Sequence, residues 1–130
     1  MKQVEVSAGI IKRGDRIFLA FRDEAQHQGG LWEFPGGKCE AAESSYDALC
    51  RELLEECGIT VGSAELFKEV RHDYGDKLVV LYFYLVDDFK GEPTGAENQQ
   101  VSWFDLKMLA ELDFPAANQV IVDELIEAYC

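Results

Sequence analysis

Runs of alternating and apolar residues divide the chain into strands that precede and follow a central helix. The β-rich runs 4–12 and 16–21 flank the turn Arg13-Gly14-Asp15 and predict a β-hairpin. Further along, residues 66–71 and 78–86 predict two strands around a turn at 73–76. Because the run 78–86 is apolar on both faces, we expect that strand to lie in the middle of the sheet.

Shorter runs connect these elements. Residues 23–30 are polar and end in two glycines, so they predict a loop. Residues 31–34 predict a short extended piece that stops at Pro35, and residues 101–104 predict one further strand.

The central helix has recognisable start and stop signals. Ser44 and Ser45 are candidate N-caps, and Asp47, three residues after Ser44, resembles part of a capping box. The pattern predicts a helix that runs to about Cys57 and stops at Gly58. Its apolar positions recur every four residues, at Leu49, Leu53 and Cys57. We expect the acidic residues of the helix to face away from that stripe.

A second amphipathic pattern predicts a C-terminal helix at residues 120–129, with five apolar positions on one side: Ile121, Val122, Leu125, Ile126 and Tyr129. The predicted order is therefore strands, helix, strands, helix. The economical arrangement is an α/β fold in which a mixed sheet lies between two main helices. With 130 residues and no linker or repeat, the chain (residues 1–130) is predicted to form a single domain.

Composition narrows the class of protein. The net charge of −13 argues against binding to duplex nucleic acid, although it permits a small phosphorylated substrate if a bound metal reverses the local sign. The start of the chain lacks a hydrophobic signal region, and the longest apolar run is too short to span a membrane. The four cysteines form no CxxC pair and no His/Cys metal spacing. These features predict a cytoplasmic enzyme with reduced thiols.

Three carboxylates on the central helix carry the candidate chemistry. Glu52, Glu55 and Glu56 stand at positions i, i+3 and i+4, which are neighbours on a helix surface. Three adjacent anions repel one another, so at least one pKa should be raised in the metal-free protein, and a hard divalent metal is their natural partner. A glycine-containing loop, Pro35-Gly36-Gly37-Lys38, precedes the helix, and the combination indicates metal-assisted attack on a phosphate chain. The alternative is a solvated acidic helix face.

The spacing of these residues resembles a known family. Gly37, five residues, Glu43, seven residues and then Arg51-Glu52-Leu53-x-Glu55-Glu56-x-Gly58-Ile59 match the Nudix box at every defining position. Residues 31–38 and 114–118 also resemble segments of MutT-type members. The resemblance implies an α/β/α sandwich that hydrolyses a nucleoside diphosphate linked to another group. In the MutT branch it implies conversion of nucleoside triphosphates, notably 8-oxo-dGTP, to monophosphate and pyrophosphate.

The resemblance also implies a metal site. Its ligands would be the carbonyl of Gly36 and the carboxylates of Glu52, Glu55, Glu56 and Glu97, with Mg²⁺ as the ion and Mn²⁺ as a substitute. For Glu97 the alternative is a solvated loop residue, and the choice of general base between Glu52 and Glu97 remains open. Arg51 would orient a box glutamate, or else be an exposed arginine. Glu43 would support the metal site, or merely place favourable charge at the helix N-terminus.

Substrate contacts follow from the same resemblance. Arg22 aligns with an arginine that binds phosphates and His27 with a histidine near the nucleotide, although His27 also suits a mobile loop. Gly37 and Lys38 are further candidates for contact with the phosphates, and Gly37 would permit close approach of the backbone. Phe34 would supply a backbone contact to the base.

Asn118 is the candidate for reading the base. Guanine presents two acceptors, O6 and N7, whereas oxidation at C8 turns N7 into a donor, so the edge becomes complementary to a carboxamide. Asn118 would therefore prefer 8-oxoguanine. The alternative is that Asn118 caps the last helix.

Three rival functions stay open at this point. A sibling enzyme that prefers another nucleotide, such as a cytidine triphosphate, is compatible with residues 28–34. A non-catalytic nucleotide-binding module is disfavoured because the box is intact. A structural domain that uses its acidic surface would release no pyrophosphate. The expected partner is a small nucleotide; the sequence leaves the oligomeric state undetermined and is compatible with a monomer.

Overall fold

A computed structural model describes residues 2–22 and 30–130. The described residues form seven strands, two α-helices and one 3₁₀ helix. In chain order these are β1 (Lys2–Arg13), β2 (Arg16–Phe21), β3 (Trp32–Glu33), β4 (Gly36–Lys38), α1 (Ser45–Cys57), β5 (Thr60–Asp73), β6 (Lys77–Lys90), β7 (Val101–Asp105), the 3₁₀ helix (Leu106–Glu111) and α2 (Ala116–Tyr129). No described helix combines the length and the apolar character needed to cross a bilayer.

The strands form one mixed sheet. Its main order is β3-β2-β1-β6-β5, with β4 paired to β1 and β7 paired to β2. Strands β1 and β6 are parallel, whereas the other pairs are antiparallel. The predicted hairpin (β1 and β2) and the predicted central position of residues 78–86 in β6 are both confirmed.

Each face of the sheet carries one hydrophobic core. Because side chains alternate along a strand, Ile10 and Ile11 of β1 point to opposite faces. Ile10 belongs to a core that includes Ile121 of α2, and Ile11 belongs to a core that includes Leu53 of α1. The sheet therefore separates the two helices, and the predicted α/β/α sandwich is confirmed.

Several predicted boundaries were wrong. Part of the loop predicted at residues 35–38 instead forms strand β4. This strand pairs with β1, and Gly37 lies opposite Ser7. Strands β5 and β6 extend well beyond residues 66–71 and 78–86, the 3₁₀ helix was not foreseen, and α2 begins at Ala116 rather than at residue 120. The expected loop at 23–30 lies, apart from Gly30, outside the described residues.

Candidate active site

Helix α1 forms where its start and stop signals predicted. The Oγ of Ser44 accepts a hydrogen bond from the backbone N–H of Asp47 at 3.0 Å, and Gly58 ends the helix in the left-handed conformation, with φ of 72°. These two caps fix the helix at both ends, and so fix which side chains face the sheet.

The expectation that the acidic trio (Glu52, Glu55 and Glu56) faces away from the buried stripe was wrong for two of its members. At 100° per residue, Glu56 lies two turns after Leu49 and points in nearly the same direction. The side chain of Glu52 is only 16% exposed, whereas that of Glu55 is 52% exposed. Two carboxylates of the trio therefore lie between α1 and the strand below it.

Glu56 is the most perturbed acid of the site. Its Oε2 accepts a hydrogen bond from the backbone N–H of Gly36 at 2.8 Å. Burial, followed by the negative charges of Glu52, Glu97 and Glu33, raises the pKa of Glu56 to about 8, although the Gly36 hydrogen bond opposes this rise. A raised pKa was expected for one of the crowded carboxylates, but its largest cause is burial and the repulsion between the carboxylates comes second.

The two glycines of β4 permit two different close approaches. A Cβ atom on Gly36 would lie 2.0 Å from the backbone oxygen of Ser7, so this glycine is required by strand pairing. A Cβ atom on Gly37 would lie 2.4 Å from the carboxyl carbon of Glu52. The Glu52 carboxylate therefore rests directly on the β4 backbone.

Arg51 links the loop before α1 to the trio. Its Nε and Nη2 donate to the two oxygens of Glu43 at 2.8 and 3.0 Å, while its Nη1 donates to Glu52 at 2.8 Å and to Glu55 at 3.3 Å. Nη2 also donates to the carbonyl of Lys38 at 3.0 Å. These hydrogen bonds lower the pKa of Glu43 to about 2 and raise the pKa of Arg51. The guanidinium of Arg51 thus bridges Glu43 and Glu52.

Glu97 lies in an exposed loop that is tied to the end of α1. The backbone N–H of Ala96 donates to the carbonyl of Glu56 at 2.9 Å, and that of Thr94 donates to Cys57 at 3.0 Å. The charge of Glu97 is near enough to contribute to the raised pKa of Glu56. The fold therefore brings Glu97 to the trio across more than forty residues of sequence.

Asn118 and Phe34 meet on the other side of β4. Asn118 is 8% exposed, and its Oδ1 accepts a hydrogen bond from the backbone N–H of Phe34 at 3.1 Å. The alternative role as a helix cap was wrong, because α2 begins at Ala116 with Pro115 in the capping position. The Asn118 carboxamide is therefore buried, and its oxygen is bound to the backbone of Phe34.

The remaining candidates differ in their surroundings. Arg22 donates through Nε and Nη2 to Oε1 of Glu33 at 3.2 and 3.0 Å. Lys38 is exposed at the end of β4, and His27 lies outside the described residues.

Two residues near the site escaped the sequence reasoning. Glu33 pairs with Arg22 and influences Glu56, and Gln99 hydrogen-bonds to the Glu56 carbonyl at 3.2 Å. Neither residue belongs to a recognisable sequence motif, and no regular spacing predicts that it lies near α1.

The chemistry of the donor set suits a hard cation, since every side-chain candidate is a carboxylate and the backbone candidate is a carbonyl. Within residues 2–22 and 30–130 no three metal-ligating side chains already converge on one point. Arg51 donates to Glu52 and Glu55, and the Gly36 N–H donates to Glu56, so binding of an ion here would require these side chains to rotate.

Comparisons with known proteins agree with this geometry. The NUDIX domain family matches residues 6–124. The 8-oxo-dGTP diphosphatase of Escherichia coli (strain K12) is 38% identical over 126 residues, which cover 96% of this chain and 98% of that protein. The CTP pyrophosphohydrolase of the same organism is 41% identical over 103 residues, covering 79% and 76% respectively. A solved MutT structure, from work on the Aliivibrio salmonicida and Vibrio cholerae proteins, has a TM-score of 0.89 at 41% identity and covers 98% of this chain and 100% of that one. The chain therefore belongs to the Nudix family.

Proposed function

We propose that this protein is a Mg²⁺-dependent pyrophosphohydrolase that converts 8-oxo-dGTP to 8-oxo-dGMP and pyrophosphate, and so removes an oxidised nucleotide from the pool used in DNA replication and repair. The observation that carries the proposal is the half-buried Glu56 carboxyl, held by Gly36 near the charges of Glu52 and Glu97. An anion in such surroundings needs a cation beside it. The oxidised guanine nucleotide is the substrate named for the E. coli relative that matches nearly the whole chain.

The proposed reaction balances as a single displacement. The oxygen of a water molecule bonds to the β-phosphorus, and the bond from that phosphorus to the oxygen bridging the α-phosphate breaks. The bridging oxygen leaves with the nucleoside monophosphate, while the β- and γ-phosphates leave as pyrophosphate. The proton of the attacking water passes to a carboxylate, either Glu52 or Glu97. In the metal-free protein Arg51 donates to Glu52 at 2.8 Å and to the Lys38 carbonyl of β4 at 3.0 Å, which keeps the Glu52 carboxylate beside β4.

The residues that would hold the ion are the Gly36 carbonyl and the carboxylates of Glu52, Glu55, Glu56 and Glu97, and Mn²⁺ accepts the same oxygen ligands. When bound, the ion neutralises charge on the phosphates and lowers the pKa of an attached water. The raised pKa of Glu56, which burial causes first and neighbouring negative charges second, supports this assignment, because a neighbouring cation would favour the ionised carboxylate.

The phosphates would be bound by residues that follow β2 in the chain and by residues of β4. Arg22, His27 and Lys38 supply the cationic or hydrogen-bonding side chains, and Gly37 supplies a backbone without an obstructing Cβ atom. Glu33 keeps the guanidinium of Arg22 in a defined position through two hydrogen bonds at 3.2 and 3.0 Å, which supports a role for Arg22 as a preset anchor.

Asn118 would read the base. The Phe34 N–H occupies one lone pair of its Oδ1, which leaves the second lone pair for the N7–H of 8-oxoguanine and the amide nitrogen for O6. Unmodified guanine has no hydrogen at N7, so its lone pair would face Oδ1 directly. Phe34 would thus act on the base through Asn118 as well as through its own backbone.

A second substrate deserves the same test, because the E. coli relative named CTP pyrophosphohydrolase is 41% identical over 103 residues. The experiment measures kcat/KM with Mg²⁺ for 8-oxo-dGTP, dGTP, dATP and dCTP, using wild type and Asn118→Ala. We expect 8-oxo-dGTP to give the highest value. Asn118→Ala should raise KM for 8-oxo-dGTP about five- to a hundredfold more than for dGTP, since a lost bidentate contact corresponds to about 1–3 kcal/mol. Equal effects on both nucleotides would remove the base-reading role, and a preference for dCTP would favour the second substrate.

The proposed setting is the cytoplasm, with free nucleotide as the partner. A net charge of −13 disfavours approach to duplex nucleic acid, whereas a triphosphate carried with its metal approaches as a less charged complex.

A further inference from the structure

We infer that Gln99 is a positioning residue for the reaction, because its carboxamide holds the backbone of Glu97 against the C-terminal end of helix α1. The inference deepens the proposed function and rests on the role proposed there for Glu97. It concerns a side chain that the resemblance to the Nudix box does not include.

The starting point is the set of carbonyls that a helix leaves without partners in its last turn. The loop at residues 94–99 satisfies two of these in α1. The Glu56 carbonyl accepts from the Ala96 N–H at 2.9 Å and from Nε2 of Gln99 at 3.2 Å, and the Cys57 carbonyl accepts from the Thr94 N–H at 3.0 Å. The loop therefore adds to the cap that Gly58 forms at the end of the helix that carries the trio.

Gln99 makes two bonds in this cap. While its Nε2 donates to the Glu56 carbonyl, its Oε1 accepts from the backbone N–H of Glu97 at 2.9 Å. A carboxamide offers a donor and an acceptor on one planar group, whereas an ionised carboxylate has no donor and an apolar side chain has neither, so Asp, Glu or an apolar residue cannot replace both bonds. A single side chain thus connects the backbone of Glu97 to the backbone of Glu56.

The turn needs such a connection because part of it is conformationally unfavourable. Asn98 has φ of 67°, in the left-handed region, and its N–H donates to the Gly95 carbonyl at 3.0 Å. The Glu97 side chain itself is exposed, and the hydrogen bonds of the described residues hold it through its backbone alone. Loss of the Gln99 bonds would therefore release Glu97 before it affected the sheet or the cores.

A purely structural cap and a positioning residue predict different results in a double-mutant cycle. The cycle compares wild type, Gln99→Leu, Glu97→Gln and the double variant in Mg²⁺-dependent pyrophosphate release. Gln99→Leu should lower kcat about tenfold with less than a twofold change in KM, since misplacing a supporting group of a metal site commonly costs ten- to a hundredfold. In the Glu97→Gln background the same change should lower kcat less than twofold, because the group it positions is already disabled.

The matched control is Gln100→Leu. Gln100 is the adjacent glutamine, its side chain is exposed, and it makes no side-chain hydrogen bond within the described residues. This variant should keep the wild-type kcat. If Gln99→Leu and Gln100→Leu have equal effects, the inference is wrong.

Amide hydrogen exchange gives a readout that is independent of activity. In Gln99→Leu the Glu97 amide should exchange at least tenfold faster than in wild type, while the amides of β1 and β6 remain protected. Unchanged exchange at Glu97, or an equal loss of kcat in both backgrounds of the cycle, overturns the inference and leaves the proposed function intact. A Glu97→Gln enzyme with wild-type kcat overturns both the role proposed for Glu97 and the inference.

Discussion

In the metal-free protein, Glu56→Gln is expected to stabilise the fold at alkaline pH and to stabilise it by only about 1 kcal/mol at pH 5. Burial and the charges of Glu52, Glu97 and Glu33 raise the pKa of Glu56 to about 8. The unfolded chain holds the same carboxyl in water with an ordinary pKa, about 4.3. Between these two values the folded state keeps a proton that the unfolded state has lost, so stability falls as pH rises through this window.

The magnitude follows from the displacement of the pKa. With the folded value at about 8, the upper limit of the penalty above pH 8 is about 5 kcal/mol. Water near the half-buried carboxyl screens the three neighbouring acids, so we expect a gain of roughly 2–4 kcal/mol for Glu56→Gln at pH 8.5. At pH 5 the folded wild type is protonated at Glu56, and the neutral amide replaces a neutral carboxyl of nearly the same shape. The remaining gain of about 1 kcal/mol arises because the unfolded carboxyl is already mostly ionised at this pH. The amide oxygen can still accept from the Gly36 N–H.

The assay is urea unfolding followed by circular dichroism at pH 5 and pH 8.5, with EDTA present. Glu55→Gln is the control, because Glu55 is 52% exposed and its contact to Arg51 at 3.3 Å is a surface pair. The control should change stability by less than about 1 kcal/mol at both pH values. Added Mg²⁺ should stabilise wild type at pH 8.5 more than it stabilises Glu56→Gln.

The reasoning about Glu56 would be refuted if Glu56→Gln destabilised the protein equally at the two pH values. That result would mean that the carboxylate is ionised in the folded, metal-free protein and is stabilised there by its hydrogen bond. Burial would then not be the dominant influence on this group.

Two glycines and one leucine give further predictions. Gly37→Ala should lower kcat at least tenfold with about 1 kcal/mol loss of stability, because the new Cβ would lie 2.4 Å from the mobile carboxyl of Glu52. Gly36→Ala should lower the free energy of unfolding by about 3 kcal/mol or more, because its Cβ would lie 2.0 Å from the Ser7 backbone oxygen. Paired kinetic and urea measurements on both variants distinguish these effects, and similar stability losses would contradict them. Leu53→Ala should cost about 3 kcal/mol in the same unfolding assay, since Leu53 is fully buried, and a loss below 1 kcal/mol would contradict the packing described for α1.

The elements that could be predicted from the sequence are those defined by local signals. Helix α1 begins and ends where Ser44 and Gly58 predicted, because a side-chain cap and a left-handed glycine act within one turn. Strand β4 was missed because its residues have turn-like character and become a strand only by pairing with β1. The strand predicted at 66–71 was too short, because β5 is an edge strand that exposes many of its side chains and its outer residues therefore lack an apolar pattern.

The candidate site shows the same division. The spacing of Glu52, Glu55 and Glu56 pointed to a metal, but the directions of the side chains were misjudged because the apolar stripe was drawn too narrowly. The link between Gln99 and Glu56 depends on how a distant loop caps a helix. Such contacts arise from the tertiary fold, and no periodicity in the sequence predicts them.

The proposed function depends on the trio on α1 binding a divalent cation that also contacts the phosphates of the nucleotide. Anomalous diffraction from crystals soaked with Mn²⁺ and a non-hydrolysable 8-oxo-dGTP analogue tests it most directly. We predict a manganese peak bounded by the carboxylates of Glu52 and Glu56 and the carbonyl of Gly36, with the base against Asn118. Nucleotide density without any manganese peak beside α1 would contradict the claim.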